Sequence, residues 1–198
     1  CANLVVALFT IHSQVIRIRQ IPYSIGSVWR LQRIKSIYEL ITDLIRRTTI
    51  GIIVSQWAKG LCRVENGIFY DNDTYVLVSI TNAGSSVGER CSIDGLQQES
   101  PKAWSSFYAN PNCEVTIDHL CFLGGGGPWE GEGFLAVMDA HTQILRWVLH
   151  SSESEQFVSL RVEHSTIYAE SGEYPYNYHW RIPIENPEGL HVTVEKKL

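Results

Sequence analysis

Apolar positions along this chain follow two different rhythms. Between Ser27 and about Thr48 they fall at Leu31, Ile34, Tyr38, Ile41 and Ile45, a 3-4-3-4 spacing that lines one face of a helix. Ile37 and Leu44 widen the stripe, Ser27 is placed to cap it, and Arg46-Arg47 sit where cations favour a helix C-terminus. The helix is expected to bury its stripe on the sheet that follows, ahead of a second copy of itself or a membrane surface. Upstream, Leu4–Thr10 is an apolar run too short to cross a bilayer and reads as a buried strand. Val15 to Ile21 alternates near period two until Pro22 stops it.

From Ile52 onward the runs are short and strand-like: Ile52–Trp57, Ile68–Tyr70, Thr74–Thr81, Cys113–Leu123 and Gly133–Asp139. They continue with Gln143–His150, Gln156–Glu163, Thr166–Glu170, Tyr178–Ile182 and Leu190–Glu195. Turn chemistry at Asn72-Asp73, Asn82-Ala83-Gly84, Ser171-Gly172 and Asn186-Pro187-Glu188-Gly189 separates them, which favours antiparallel neighbours over βαβ units. Residues 83–112, rich in Ser, Gly and Asn, read as a long irregular loop. The fold class is therefore α+β, an N-terminal amphipathic helix followed by a mainly antiparallel β-sheet or sandwich-like domain.

Charge divides the chain at nearly the same place. Residues 1–63 hold nine Lys/Arg against Glu39 and Asp43, whereas residues 64–198 hold seven Lys/Arg against nineteen Asp/Glu. The reading is a basic helical leader over 1–63 and an acidic β-rich domain over 64–198. The acidic balance argues against nucleic acid as a partner, because phosphate contacts need clustered Lys/Arg. Five cysteines without a CxxC pair give no disulfide framework, and scattered thiols favour the cytoplasm over an oxidising compartment. Met138 is the sole methionine, which leaves Cys1 as a truncation, a trimmed start or a mature N-terminus, lipid modification among the options.

Candidate chemistry is sparse. If Cys113–Leu123 is one strand, His119 and Cys121 share a face about 6–7 Å apart, suited to a thiol–imidazole pair or part of a zinc site with Cys91. The same face carries Val115, Ile117 and Leu123, so buried structural thiols are the favoured reading, and neither metal nor cofactor is expected. Gly124–Gly127 lacks the Lys-Ser/Thr and helix of a phosphate cradle and reads as a mobile hairpin or binding loop beside Trp129, Glu130 and Glu132. His150 beside Ser151-Ser152-Glu153-Ser154-Glu155 has no nucleophile elbow to make a triad. Asn72-Asp73-Thr74 is a glycosylation sequon, relevant only to a secreted eukaryotic chain.

Asp139-Ala140-His141-Thr142 followed by Trp147 resembles the turn motif of a quinoprotein-type propeller blade, with Gln143 where that turn carries glycine. The motif occurs once, and one blade cannot close a propeller, so no residue role follows from it.

Tyr174, Tyr176, Tyr178 and Trp180 share parity in an extended segment, either as the core face of a hairpin or as a binding patch. The function expected from these features is a non-catalytic interaction protein whose acidic, aromatic-bearing β domain binds a basic protein surface. Its binding residues are expected among Trp129, Glu130, Glu132, Glu170, Glu173, Tyr174, Tyr176, Tyr178 and Trp180. Small bacterial immunity proteins share this physical profile, without a motif that links the chain to them. The alternatives are a small-molecule or carbohydrate binder and a thiol- or metal-dependent hydrolase.

Overall fold

The computed structural model describes residues 9–11, 14–16, 50–81, 84–172 and 175–197, in two units divided after Thr49. The expected helix at 27–48 lies outside the described residues. In the first unit, β1 (Phe9–Ile11) pairs antiparallel with β2 (Gln14–Ile16), Thr10 facing Val15.

The second unit begins with helix α1 (Ile52–Trp57), then β3 (Leu61–Arg63), β4 (Gly67–Tyr70), β5 (Thr74–Thr81), β6 (Gly84–Val87) and β7 (Cys91–Ser92). Helix α2 (Ile93–Glu99), β8 (Trp104–Ser106), β9 (Tyr108–Ile117), β10 (Leu120–Gly126), β11 (Gly133–Asp139) and β12 (Leu145–Ser151) follow. The last four strands are β13 (Phe157–Glu163), β14 (Thr166–Ser171), β15 (Tyr176–Pro183) and β16 (His191–Lys196). Among the described residues, an eight-stranded sheet runs β6-β5-β4-β12-β11-β10-β9 with β7 also on β5. A four-stranded sheet runs β13-β14-β15-β16, and β3 pairs with β8. Every one of these pairings is antiparallel.

The large sheet is covered on both faces, which explains why its central strands are apolar without alternation. In β11, Leu135 and Val137 join Ile68, Trp147, Phe157, Ile167, Trp180 and Val192 in a core shared with the four-stranded sheet. Phe134, Ala136 and Met138 of the same strand point the other way, onto Ile53 and Trp57 of α1 and Ile93 of α2. Each fully buried side chain of this size contributes about 1.5–3 kcal/mol from area removed from water. At the sheet margins, Asn110 donates to the Phe157 carbonyl at 3.2 Å, tying β9 to β13. Ser85 likewise bridges β6 to the strand beginning at His191, accepting from Val192 N–H at 3.2 Å.

Three local expectations are corrected. Ile52–Trp57 is helical, not extended, because Asp73 supplies a cap from another part of the chain: its carboxylate accepts from the N–H groups of Ile52 at 2.9 Å and Ile53 at 3.0 Å. Ile53 and Trp57, one turn apart, then bury together, and Trp57 Nε1–H points to Met138 Sδ at 3.2 Å. The segment 83–112 is not an irregular loop; it contains β6, β7, α2, β8 and the start of β9, with Ser92 capping α2 at Asp94 N–H. The run Cys113–Leu123 is two strands, broken at Asp118-His119, where Asp118 takes a left-handed φ of 53°. Because β3 pairs with β8, the charge change near Cys62 falls inside the second unit.

Candidate functional site

The β10–β11 hairpin builds one end of the second unit. Of the hairpin and the binding loop weighed for Gly124–Gly127, the hairpin is present: Gly124, Gly125 and Gly126 are buried strand residues paired to β11. Close approach explains them: a Cβ on Gly125 would lie 2.1 Å from the Tyr108 carbonyl oxygen of β9. Pairing continues to Gly127, whose N–H donates to the Glu132 carbonyl at 3.1 Å, so the turn proper is Pro128-Trp129-Glu130-Gly131. The Glu132 side chain folds back over Gly127, where a Cβ would come within 2.0 Å of Oε2. Only glycine admits the carboxylate there.

That carboxylate is half-buried, and its Oε2 is enclosed without a hydrogen-bond partner. Burial pushes the Glu132 carboxyl above its ordinary range, and the Trp129 backbone N–H pulls it part of the way back. Across the turn, Glu155 holds a left-handed φ of 57° and accepts from Gly131 N–H at 2.9 Å. The β12–β13 loop is thereby pinned to the hairpin tip.

Between these loops lies a cleft of about 420 Å³ lined by Tyr108, Trp129, Glu130, Glu132, Glu155 and Val158, with Pro128, Gln156 and Gly172 completing it. Trp129 is 71% exposed and Tyr108 55%, so two aromatic faces stand open beside three carboxylates. Among the described residues, no Lys or Arg lines the cleft. The charged side chains described there are all carboxylates, beside apolar and aromatic walls.

The expected binding residues divide. Trp129, Glu130 and Glu132 share this cleft. Tyr176 and Tyr178 stand at its margin, since a Cβ on Gly172 would lie 2.5 Å from the Tyr176 carbonyl and 3.1 Å from the Tyr178 ring. Burial raises the Tyr178 phenol, and Glu153 and Glu155 raise it further. Trp180 offers no surface: it is 2% exposed, packs on Phe157 and donates its indole N–H to Ser171 Oγ at 2.8 Å. Glu170 faces a separate shallow recess, where His179 Nδ1 approaches it at 3.5 Å and His179 Nε2 approaches Glu195 at 3.3 Å. Glu173 and Tyr174 lie outside the described residues. Tyr108, Glu155 and Val158 were not anticipated, because long-range pairing of β9 and β13, and not local pattern, brings them here.

His119 and Cys121 do not form the thiol–imidazole pair that was weighed against buried structural thiols. His119 sits exposed in the turn between β9 and β10, Cys113 packs in the core between the sheets, and Cys121 packs on the helix-covered face. Burial pushes the Cys113 thiol to about 11, and that of Cys62 to about 12 with Glu132 adding to the effect. Among the described residues, no three His, Cys, Asp or Glu side chains are placed to hold a metal ion together. His150 is 1% exposed and neither ring nitrogen meets a partner in good geometry. Burial lowers its pKa to about 4, with the Glu65 backbone and charge opposing only in part.

No family model, curated protein or solved structure matches this chain. Among the described residues, no helix is long and apolar enough to cross a membrane.

Proposed function

We propose that this chain is a non-catalytic interaction protein whose acidic β unit binds a protein partner with a basic surface, through the cleft at the β10–β11 hairpin. The observation that supports the reading best is the gathering of Trp129, Tyr108, Glu130, Glu132 and Glu155 around one open cavity with no compensating cation among the described residues. Residues 50–198 carry nine Lys/Arg against nineteen Asp/Glu, so the field beyond the cleft has the same sign. Such a field steers a cationic partner, while an exposed tryptophan supplies contact area at the centre of an interface.

A mixed Lys/Arg peptide tests it by titration at two ionic strengths. Binding is expected to weaken about tenfold or more between about 0.05 and about 0.5 M salt. It is expected to be lost in Trp129→Ala and Glu130→Lys, both exposed positions whose replacement leaves the core intact. Binding that ignores both salt and these variants overturns the proposal.

The 71% exposure of Trp129 also fits a carbohydrate reading, since sugars stack on open aromatic faces. A neutral oligosaccharide binding through Trp129 at high salt, with no response to the peptide, favours that alternative.

A further inference from the structure

We propose that His150, Arg63 and Glu65 form an acid-sensitive latch, in which a proton on His150 competes with Arg63 for one carboxylate and loosens β3 and β8 from the large sheet. The inference is independent of the basic-partner reading above.

Two deeply buried groups define the latch. His150 lies at 1% exposure between Phe134 of β11 and Gly67 of β4, and both its ring nitrogens lack a partner in good geometry. Arg63, also 1% exposed, sits on β3, which packs against β12. Its guanidinium takes both oxygens of Glu65, Nε donating to Oε2 at 2.7 Å and Nη2 to Oε1. Nη1 donates to the Ser100 carbonyl at 2.9 Å, just past α2. Because Cys62 of β3 pairs with Ser105 of β8, one guanidinium ties β3, the turn after it and the α2–β8 connection into a single cover.

Glu65 is the one source of compensation for a charged imidazole. Phe134 and Gly67 bring no charge from the neighbouring strands. On β3, Cys62 is a thiol kept protonated by its burial; Glu132, from the start of β11, adds to that effect, whereas the charge acting on His150 is that of Glu65. A neutral ring leaves Glu65 wholly to Arg63. A protonated ring either draws Glu65 away, stripping a buried guanidinium, or stays bare itself. Both outcomes bury an uncompensated charge, and water entry relieves it. The covering elements are short, three residues each in β3 and β8 and six in α1, so opening there costs less than unfolding the sheets.

The cysteines of the full chain separate local opening from global unfolding. Cys62 reports on β3, Cys113 on the core between the sheets, and exposed Cys91 is an internal reference. Labelling by 4,4′-dithiodipyridine, which still reacts with thiols in mild acid, is mapped by peptide mass spectrometry at about pH 7 and about pH 5. With His150 at about 4 when enclosed and at its ordinary 6.5 when opened, Cys62 labelling relative to Cys91 is expected to rise about twentyfold, while Cys113 stays protected. His150→Phe is expected to abolish the rise. Arg63→Met frees Glu65 for the imidazolium and is expected to cut the rise to a few-fold. A Cys62 rate that keeps step with Cys91, or joint opening of Cys62 and Cys113, overturns the latch in the parent protein without recourse to a variant. An undiminished rise in Arg63→Met overturns the competition for Glu65.

Discussion

Glu155 Oε2 accepts the backbone N–H of Gly131 at 2.9 Å, joining the loop after β12 to the hairpin turn that carries Trp129. The bond spans two loops, so it sets the shape of the cleft between them. Removing the acceptor in Glu155→Ala is expected to lower stability by about 1 kcal/mol and to speed hydrogen exchange at Gly131. Glu155→Gln keeps an acceptor oxygen and is expected to preserve the protection. Equal exchange at Gly131 in all three proteins would show that the carboxylate does not hold the turn.

Asp73 does for α1 what no residue next to that helix can do. Gly51 occupies the N-cap position without a side chain, and both helix N–H groups are satisfied from the β4–β5 turn. Asp73→Ala is expected to cost about 1–2 kcal/mol, measured as a shift in urea midpoint with unchanged slope. Asp73→Asn tolerates the left-handed φ of 60° and keeps one oxygen, so its loss should be roughly half as large. An unshifted midpoint in Asp73→Ala refutes the capping role.

These two contacts also show where sequence reading stops. Thr74–Thr81 and Gly133–Asp139 were legible to the residue, because apolar runs between turn signals depend only on local pattern. Ile52–Trp57 was not, since its β-branched residues favour a strand and its cap lies some twenty positions away. The break at Asp118-His119 was hidden because an aspartate in a left-handed conformation carries no glycine-like signature. The hairpin residues Trp129, Glu130 and Glu132 were legible as a group from a tight, polar, aromatic-bearing turn. Their neighbours Tyr108, Glu155 and Val158 were not, because strand pairing over long sequence separations assembles that side.

Two glycines in different settings predict opposite outcomes. Gly125→Ala would place a Cβ 2.1 Å from the Tyr108 carbonyl and 2.9 Å from the Phe134 ring, contacts that rigid strand backbone cannot relieve. A loss of more than about 2 kcal/mol is expected, read by thermal or urea unfolding. Gly95 lies inside α2 with nothing within 4 Å of the added carbon, so Gly95→Ala is expected to gain about 0.5–1 kcal/mol. The pair of variants separates steric need for glycine from mere tolerance of it.

Thiol reactivity follows burial. Cys91 is exposed, whereas Cys62, Cys113 and Cys121 are buried, and the raised values for Cys62 and Cys113 keep those two protonated at neutral pH. Iodoacetamide followed by peptide mass mapping is expected to label Cys91 in the folded protein, and Cys62, Cys113 and Cys121 only in denaturant. Rapid native labelling of Cys62 would contradict its enclosure and its position next to the Glu132 charge.

His150 makes the second unit acid-sensitive. Its ordinary pKa near 6.5 applies to the unfolded chain, and burial lowers it to about 4 in the fold, so the unfolded state binds the proton first. Stability is therefore intact above about pH 6.5 and declines as pH falls toward 4, by about 3 kcal/mol once both states are protonated. The residue pairs across the sheet with Phe134 on one side and Gly67 on the other, and the Glu65 carboxylate is too weakly coupled to cancel the desolvation. Replacing it in His150→Phe removes the titrating group along with two unsatisfied nitrogens. The variant is expected to show a flatter stability profile between about pH 7 and about pH 4.5 than the parent, measured by urea midpoints. Parallel profiles for the two proteins would mean that the imidazole is not held neutral by its burial.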